Sequence, residues 1–351
     1  AALAIKATWD TSGVLPTFKD ADGNTYSSHG HELVVLDADA GHLEVGYKDG
    51  DTAVTVFTLD LNNTPSDSNF GTFVFTLDGP LDDIAPLTGI SGPNGLETSL
   101  PIRFSVTATD ADFDTASADI KISVNDDSPE VSVTYDSAPD AGSSGGSLNY
   151  GQIDEDWLSN GNHDTDHQTS GDKPGGAVAT GHVLVNWGAD GPAADNKYGF
   201  TAVEGQAATA ERSDGDTQNL LSGGHQVYLH QGTDGLVGYI NADDSTAYNA
   251  VTSTAVFTLG IDSSGQFTFT LLEALDHPVK NFEDNLTLSF QVSAGTDFDL
   301  DSALGTIQIK VNDDSPVAVG DCPDPGVLAG NIFQDVTFGL VSSAGADGAK
   351  I

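Results

Sequence analysis

A long internal repeat constrains the fold of this chain more than any other feature. Residues 107–129 read TATDADFDTASADIKISVNDDSP, and residues 294–316 read AGTDFDLDSALGTIQIKVNDDSP. The acidic positions keep a spacing of 187 residues, both from Asp110 to Asp297 and from Asp127 to Asp314. A repeat of this length predicts an array of similar modules. Because each copy is a strand pattern that ends in carboxylates, we expect the function to lie in how the modules join.

The repeat continues across the ends of the chain. The tetrapeptide GADG at 188–191 lies upstream of the main strands of the second copy, and it recurs at 345–348. We therefore expect the C-terminal segment to start a module and the N-terminal segment to contain the end of such a module. Three arrangements would produce this pattern: one period of a longer tandem array, which we favour, strand exchange between separate chains, or a module interrupted by an insertion.

The predicted domain boundaries follow the repeat. Residues 1–128 would form the C-terminal part of a β-sandwich module, and residues 129–316 a complete module with an acidic loop at 136–178. Residues 317–351 would supply the first strands of the next module and complete residues 1–128 of a following repeat or of a neighbouring chain. Pro129 and Pro316 mark the boundaries, because proline donates no backbone hydrogen bond and holds the preceding residue extended.

Short runs of alternating apolar and polar residues dominate the chain. Examples are the segments 72–77, 102–107 and 118–124, and the tail adds Val336–Val341. Glycine and aspartate turns separate these runs, and no stretch has the periodicity of an amphipathic helix. The pattern predicts an all-β fold of tandem Ig-like or cadherin-like antiparallel β-sandwich modules.

Composition narrows the classes of partner. The chain has 11 Lys and Arg against 53 Asp and Glu, a formal net charge of −42. The negative electrostatic field of such a charge repels phosphates and therefore argues against nucleic acid and anionic membrane as partners. No apolar run reaches the ~18 residues that would insert this segment into a bilayer. The single cysteine, Cys322, cannot form an intrachain disulfide. Bound cations are expected to supply the cross-links instead.

The repeated carboxylates are the candidate metal ligands. A D-x-D-x-D run either stays extended, so that alternate residues point to one side, or curls around an ion as a loop. Either way it brings together like charges that are costly unless they are protonated or a cation neutralises them. Calcium suits such a group because it takes six to eight oxygen ligands in flexible geometry. A second acidic group follows each final strand, where a cation would fix the angle between modules. The predicted Ca²⁺ ligands are Asp110, Asp112, Asp114, Asp126, Asp127, Asp297, Asp299, Asp301, Asp313 and Asp314, with Glu97 and Glu283 as additional ligands.

Other acidic positions leave alternatives open. Asp82 and Asp276 follow matching leucines and are equally compatible with ligands and with turn formers. The acidic stretch 154–166 is a candidate for a further ion, and its His163 and His167 would suit a transition metal, although a solvated loop is the simpler interpretation.

Catalysis is not predicted. The sequence has no G-x-S-x-G nucleophile elbow and no phosphate-binding glycine motif. Paired carboxylates can serve a glycosidase, but here they fall at module ends and no aromatic-rich cleft is evident. We therefore expect a non-enzymatic protein.

The repeated motifs resemble those of a known family. The F-T-L and Leu-Asp pattern at 75–82 and 269–276, the acidic runs at 110–114 and 297–301, and the V-N-D-D-S-P segments at 124–129 and 311–316 are similar to the tandem modules of giant type I-secreted RTX adhesins and related biofilm proteins. The NDDSP segment is also similar to cadherin linkers. Phe113 and Leu300 depart from the pattern, since such modules often have glycine there.

The resemblance implies a role and a location. It implies an extracellular, surface-anchored fibre that calcium stiffens for adhesion and biofilm formation, with adjacent copies of the same repeat as partners. By that likeness Asp126, Asp127, Asp313 and Asp314 are ligands at module junctions. Two alternatives stay open: an adhesin module that binds cell-surface or matrix glycans or peptides through the loop 136–178, and a filament subunit completed by a neighbour's strand.

Overall fold

A computed structural model describes residues 2–5, 15–82, 99–136, 149–161, 176–233, 235–278, 283–298 and 300–314. Strands account for 56% of the residues and helix for 1%, so the prediction of an all-β chain with antiparallel sheets is confirmed. Glu97, Asp299, His163, His167, Cys322, the strand predicted at Val336–Val341 and most of the loop 136–178 lie outside the described residues.

The chain divides into two compact units. The first comprises residues 1–130, 185–196 and 295–303, and the second comprises residues 131–184, 197–294 and 304–351. Each unit has its own hydrophobic core, as expected for a chain long enough for two domains.

The main strands of the first unit form a four-stranded and a three-stranded sheet. In sheet order these are β4-β5-β6-β7 and β1-β8-β9, and β2 pairs with β3 as a short hairpin. Phe57 and Phe75 on the first sheet and Phe104 on the second meet with ring centroids 5.3 to 6.1 Å apart, which closes the core between the sheets. The strands are β1 Ala2–Ile5, β2 Ser27–Ser28, β3 His31–Glu32, β4 Val34–Ala38, β5 His42–Asp49, β6 Thr52–Leu61, β7 Phe73–Leu77, β8 Ser99–Thr109 and β9 Thr115–Asn125.

The described part of the second unit packs a seven-stranded sheet against a six-stranded one and includes a short 3₁₀ turn, η1. The sheet orders are β10-β12-β22-β21-β20-β19-β14 and β11-β24-β23-β15-β16, with β13 beside β23 and a short β17-β18 hairpin. The elements are β10 Glu130–Tyr135, β11 Gly151–Asp154, η1 Glu155–Trp157, β12 Val178–Asn186, β13 Gly199–Phe200, β14 Gln206–Ala207, β15 Thr209–Arg212, β16 Thr217–Asn219, β17 Leu221–Ser222, β18 His225–Gln226, β19 Tyr228–Gly232, β20 Gly235–Ile240, β21 Thr254–Ile261, β22 Gln266–Leu271, β23 Asn285–Thr296 and β24 Ser302–Asn312.

Alternation of side chains builds the core of the second unit. Along β22, Phe267, Phe269 and Leu271 face inward and are buried, because successive strand residues point to opposite faces. Phe257 of β21 meets Phe290 of β23 edge to face at 5.4 Å, which joins the two sheets. One pair departs from the antiparallel expectation: β11 lies parallel to β24, from Gly151 opposite Ile309 to Asp154 opposite Asn312.

The repeated FTL strand has different surroundings in the two units. In the second unit β22 is covered by β12, which pairs with it from Val178 to His182. In the described part of the first unit β7 is the last strand of its sheet, and its Phe73 and Val74 are 45% and 61% exposed. Similar sequences therefore produce an interior strand in one unit and an exposed apolar edge in the other.

Candidate metal centre

Three acidic segments, which together carry seven carboxylates, come together at one edge of the six-stranded sheet of the second unit. The parallel pairing of β11 with β24 is the cause, because it places Asp154 opposite Asn312 and so lets both strands deliver their acidic ends to the same place. All seven side chains are buried. We refer to them as the acidic cluster: Asp154, Glu155, Asp156, Glu283, Asp284, Asp313 and Asp314.

Hydrogen bonds fix several members of the acidic cluster. Asp154 caps η1 by accepting from the backbone N–H of Asp156 at 3.0 Å. Glu155 Oε1 accepts from the backbone N–H of Leu275 at 2.8 Å. The carbonyl oxygen of Asp284 accepts from the Asn312 side-chain amide and from the Asp313 backbone N–H, both at 3.1 Å. The three segments that supply the carboxylates are thus tied to one another through the backbone.

A buried histidine lies within the acidic cluster. The side chain of His277 is 1% exposed, with Nδ1 at 3.1 Å from Asp284 Oδ1 and Nε2 at 3.6 Å from Glu155 Oε1. Burial by itself would lower the pKa of His277, but the hydrogen bond to Asp284 and the charges of Glu155 and Asp313 outweigh it and raise the pKa to about 10. One ligand atom each of Glu155, His277 and Asp313 lies within 4.8 Å of the other two.

The composition of this site is compatible with a bound cation. Removing even one carboxylate from water costs several kcal/mol unless an opposite charge or hydrogen bonds compensate. The three segments carry seven buried carboxylates, and one ligand atom each of Glu155, His277 and Asp313 lies within 4.8 Å of the other two. Like charges this close must be protonated or neutralised. The arrangement can therefore hold one or more metal ions through oxygen ligands, with one nitrogen ligand available.

Sequence reasoning identified part of the acidic cluster. It named Asp313, Asp314 and Glu283, and it weighed the stretch that begins at Asp154 as a separate loop site. It missed His277 and Asp284. A signal for His277 existed: the second copy reads Leu275-Asp276-His277 where the first copy reads Leu81-Asp82-Asp83, so a histidine replaces an aspartate.

The first D-x-D-x-D segment forms an exposed loop in the first unit. Asp110, Asp112 and Asp114 each place a carboxylate oxygen within 4.8 Å of the others. The side-chain hydrogen bond to Asp112, helped by backbone donors at Asp114 and Asp112, lowers the pKa of Asp110. Phe113 adopts a left-handed φ of 73°, a conformation that glycine takes without strain. The loop therefore places a bulky residue in a backbone conformation that favours glycine.

The second D-x-D-x-D segment lies in different surroundings. Asp297 is fully buried, and its Oδ1 accepts from the backbone N–H of Asp301 at 2.7 Å. Leu300 has a φ of 85°, matching Phe113. Asp301 Oδ2 accepts from the hydroxyl of Ser128 at 2.9 Å. This loop therefore contacts the segment that follows β9.

The acidic residues after β9 line a pocket. Asp126 and Asp127, together with Asp190, border a cavity of about 340 Å³, and Asp127 Oδ2 accepts from the backbone N–H of Ala189 at 3.0 Å. The 11 residues of β9 separate Asp114 from Asp126 by roughly 40 Å of extended chain. The two acidic groups of one copy are therefore too far apart to share an ion.

Asp82 and Asp276 serve as turn formers. Asp82 Oδ2 accepts from the backbone N–H of Gly30 at 2.8 Å, and Asp276 Oδ2 accepts from that of Gly224 at 2.7 Å. Each glycine has positive φ in the tip of a short hairpin. The same contact in both units gives these aspartates a structural role.

Comparisons with protein-family models and with curated proteins found no match. Within the described residues, no helix is long and apolar enough to cross a membrane.

Proposed function

We propose that this chain is a cation-stiffened structural repeat of a giant extracellular bacterial adhesin or fibre that acts in surface adhesion and biofilm formation. Calcium is the proposed main ion, and adjacent copies of the repeat are the proposed partners. The chain extends and stiffens the fibre and catalyses no reaction.

The acidic cluster is the observation that carries this proposal. It consists of buried carboxylates at the end of β24, next to the Ser315-Pro316 boundary between repeats. Oxygen ligands in this number suit calcium better than other common ions. An ion held there ties the end of one module to its own core, so the strand that leads into the next module starts from a fixed position.

Thermal unfolding with and without EGTA tests the proposal. A ligand that binds only the folded state raises its stability, by about 2.7 kcal/mol when its concentration is 100 times its dissociation constant. We expect calcium to raise the melting temperature of the wild-type chain and EGTA to reverse the change. An unchanged midpoint would remove the support for a cation-dependent repeat.

A pair of matched substitutions locates the effect. Asp314→Asn removes one buried carboxylate of the acidic cluster, and Asp216→Asn removes an exposed carboxylate from a hairpin turn of the same unit. Asp314→Asn should reduce the gain in melting temperature from calcium, and Asp216→Asn should leave the gain unchanged. Equal effects of the two substitutions would place the calcium response elsewhere.

The exposed β7 edge favours a second candidate function, that of a strand-complemented filament subunit. An edge strand offers unpaired backbone groups to another strand, and the strand that covers β22 in the second unit shows the kind of partner that fits. Residues 336–341 of a neighbouring copy are the proposed donor, because their distance from the GADG segment matches that of β12.

Electron microscopy and gel filtration distinguish the two candidates. A strand-complemented subunit should form fibres as the whole chain and lose them when residues 317–351 are deleted. Leu77→Lys, on the exposed β7 edge, should also abolish the fibres while leaving the fold intact. Whole chains that stay monomeric at high concentration would exclude the filament and leave the covalent array.

A further inference from the structure

The acidic cluster contains a nitrogen ligand in a position to bind metal. His277 Nε2 has no hydrogen-bond partner among the described residues, and its side chain is almost completely buried. Nε2 lies 3.6 Å from Glu155 Oε1, and one ligand atom each of Glu155, His277 and Asp313 lies within 4.8 Å of the other two. Two carboxylate oxygens and one imidazole nitrogen thus converge on one point.

The spacing of these three atoms suits a transition metal. Zinc binds imidazole nitrogen and carboxylate oxygen at about 2.0–2.2 Å, which places ligand atoms of one ion about 3–4 Å apart. The three atoms need only small side-chain shifts to reach that distance. Calcium prefers an all-oxygen shell, whereas imidazole suits zinc and its neighbours in the first transition row.

The other ring nitrogen supports the same assignment. His277 Nδ1 is hydrogen-bonded to Asp284 at 3.1 Å. A metal-binding histidine usually donates its second N–H to a carboxylate, which fixes the tautomer and the ring orientation. Asp284 therefore leaves Nε2 as the ligand atom.

We propose that Glu155, His277 and Asp313 bind one transition-metal ion of the Zn²⁺ class, in addition to the calcium proposed for the acidic cluster. Two carboxylates balance the charge of a divalent ion, and the imidazole binds as the neutral base after its Nε2 proton leaves to solvent. The ion links η1, the loop at 277 and the end of β24, so its role is structural. In the first copy, Asp83 stands in place of His277, so this metal preference belongs to the second copy alone.

The inference rests on the proposed function only in that the acidic cluster binds cations.

The whole chain is stripped of metal with EDTA and titrated separately with CaCl₂, ZnCl₂ and CoCl₂, the last as a coloured substitute for zinc. Melting temperature and the visible absorption of cobalt are recorded. The variants are His277→Gln, Asp284→Asn and, as control, His225→Gln, which changes a half-buried histidine outside the acidic cluster, paired with Asp244 at 2.9 Å.

The expected result separates the two ions. His277→Gln should abolish the cobalt spectrum and the stabilisation by zinc but keep the stabilisation by calcium. Asp284→Asn should weaken zinc binding by about 10- to 100-fold, as loss of a hydrogen-bonding partner of a ligand histidine does. His225→Gln should behave as the wild type.

The results that would overturn the zinc site differ from the results that would overturn the proposed calcium function. Zinc and cobalt binding that survives His277→Gln overturns the inference while the proposed calcium function stands. If neither calcium nor zinc stabilises the wild-type chain, both fail. X-ray absorption of the wild type with one equivalent of zinc requires no variant: one imidazole with oxygen ligands supports the site, and an all-oxygen shell refutes it.

Discussion

The protonation of His277 should control the stability of the metal-free second unit. The folded state raises the pKa of His277 to about 10 from the ordinary value of 6.5. A raised pKa contributes stability that is fully present below pH 6.5 and is lost as the pH rises through about 10. The imidazolium faces Glu155 of η1, Asp284 before β23 and Asp313 after β24.

The size of this stabilisation follows from the two pKa values of His277, and its contacts give a second estimate. The difference between the two pKa values is worth about 4 kcal/mol at pH 7 and less than about 1 kcal/mol at pH 10. The geometry agrees, because removing one partner of a buried ion pair costs about 3–5 kcal/mol, and His277 lies 3.1 Å from Asp284. We expect His277→Gln to be less stable than the wild type by about this amount at pH 7 in EDTA.

Urea unfolding in EDTA at pH 6.5, 8 and 10 measures the effect. The difference in free energy of unfolding between wild type and His277→Gln isolates this residue from other groups that titrate in the same range. That difference should shrink as the pH rises. A difference that is constant from pH 6.5 to 10 would show that His277 acts through packing alone, and the electrostatic reasoning would be refuted.

Two further predictions test the packing of the units. Phe269→Ala should lower the free energy of unfolding by about 3–5 kcal/mol. Phe75→Ala at the matching position should lower it less, because Phe75 lies half-buried on an edge strand. Urea unfolding of both variants measures the two losses, and equal losses would contradict this prediction. Gly181→Ala should destabilise the second unit by about 1–3 kcal/mol, because the new methyl group would overlap the carbonyl oxygen of Thr134. An unaltered urea midpoint would contradict the packing of β12.

The two copies of the NDD segment show how far sequence similarity extends. Asp126-Asp127 and Asp313-Asp314 occupy equivalent positions in the repeat. In the structure, however, Asp127 is exposed, whereas Asp313 and Asp314 are buried. The difference arises because β11 pairs with β24 and brings its own acidic end. In the described part of the first unit β9 has only β8 as a neighbour. Burial of a carboxylate depends on neighbours that a repeated motif does not encode.

The sequence by itself determined the β-class, the repeat and the carboxylates at strand ends, because alternation of side chains and turn residues act over a few neighbouring positions. Only the tertiary structure decided which carboxylates are buried together and that His277 lies among them. Glu155, His277 and Asp313 come from three distant segments of the chain. Their convergence depends on the register of a parallel strand pair, and long-range register leaves no local pattern in the sequence.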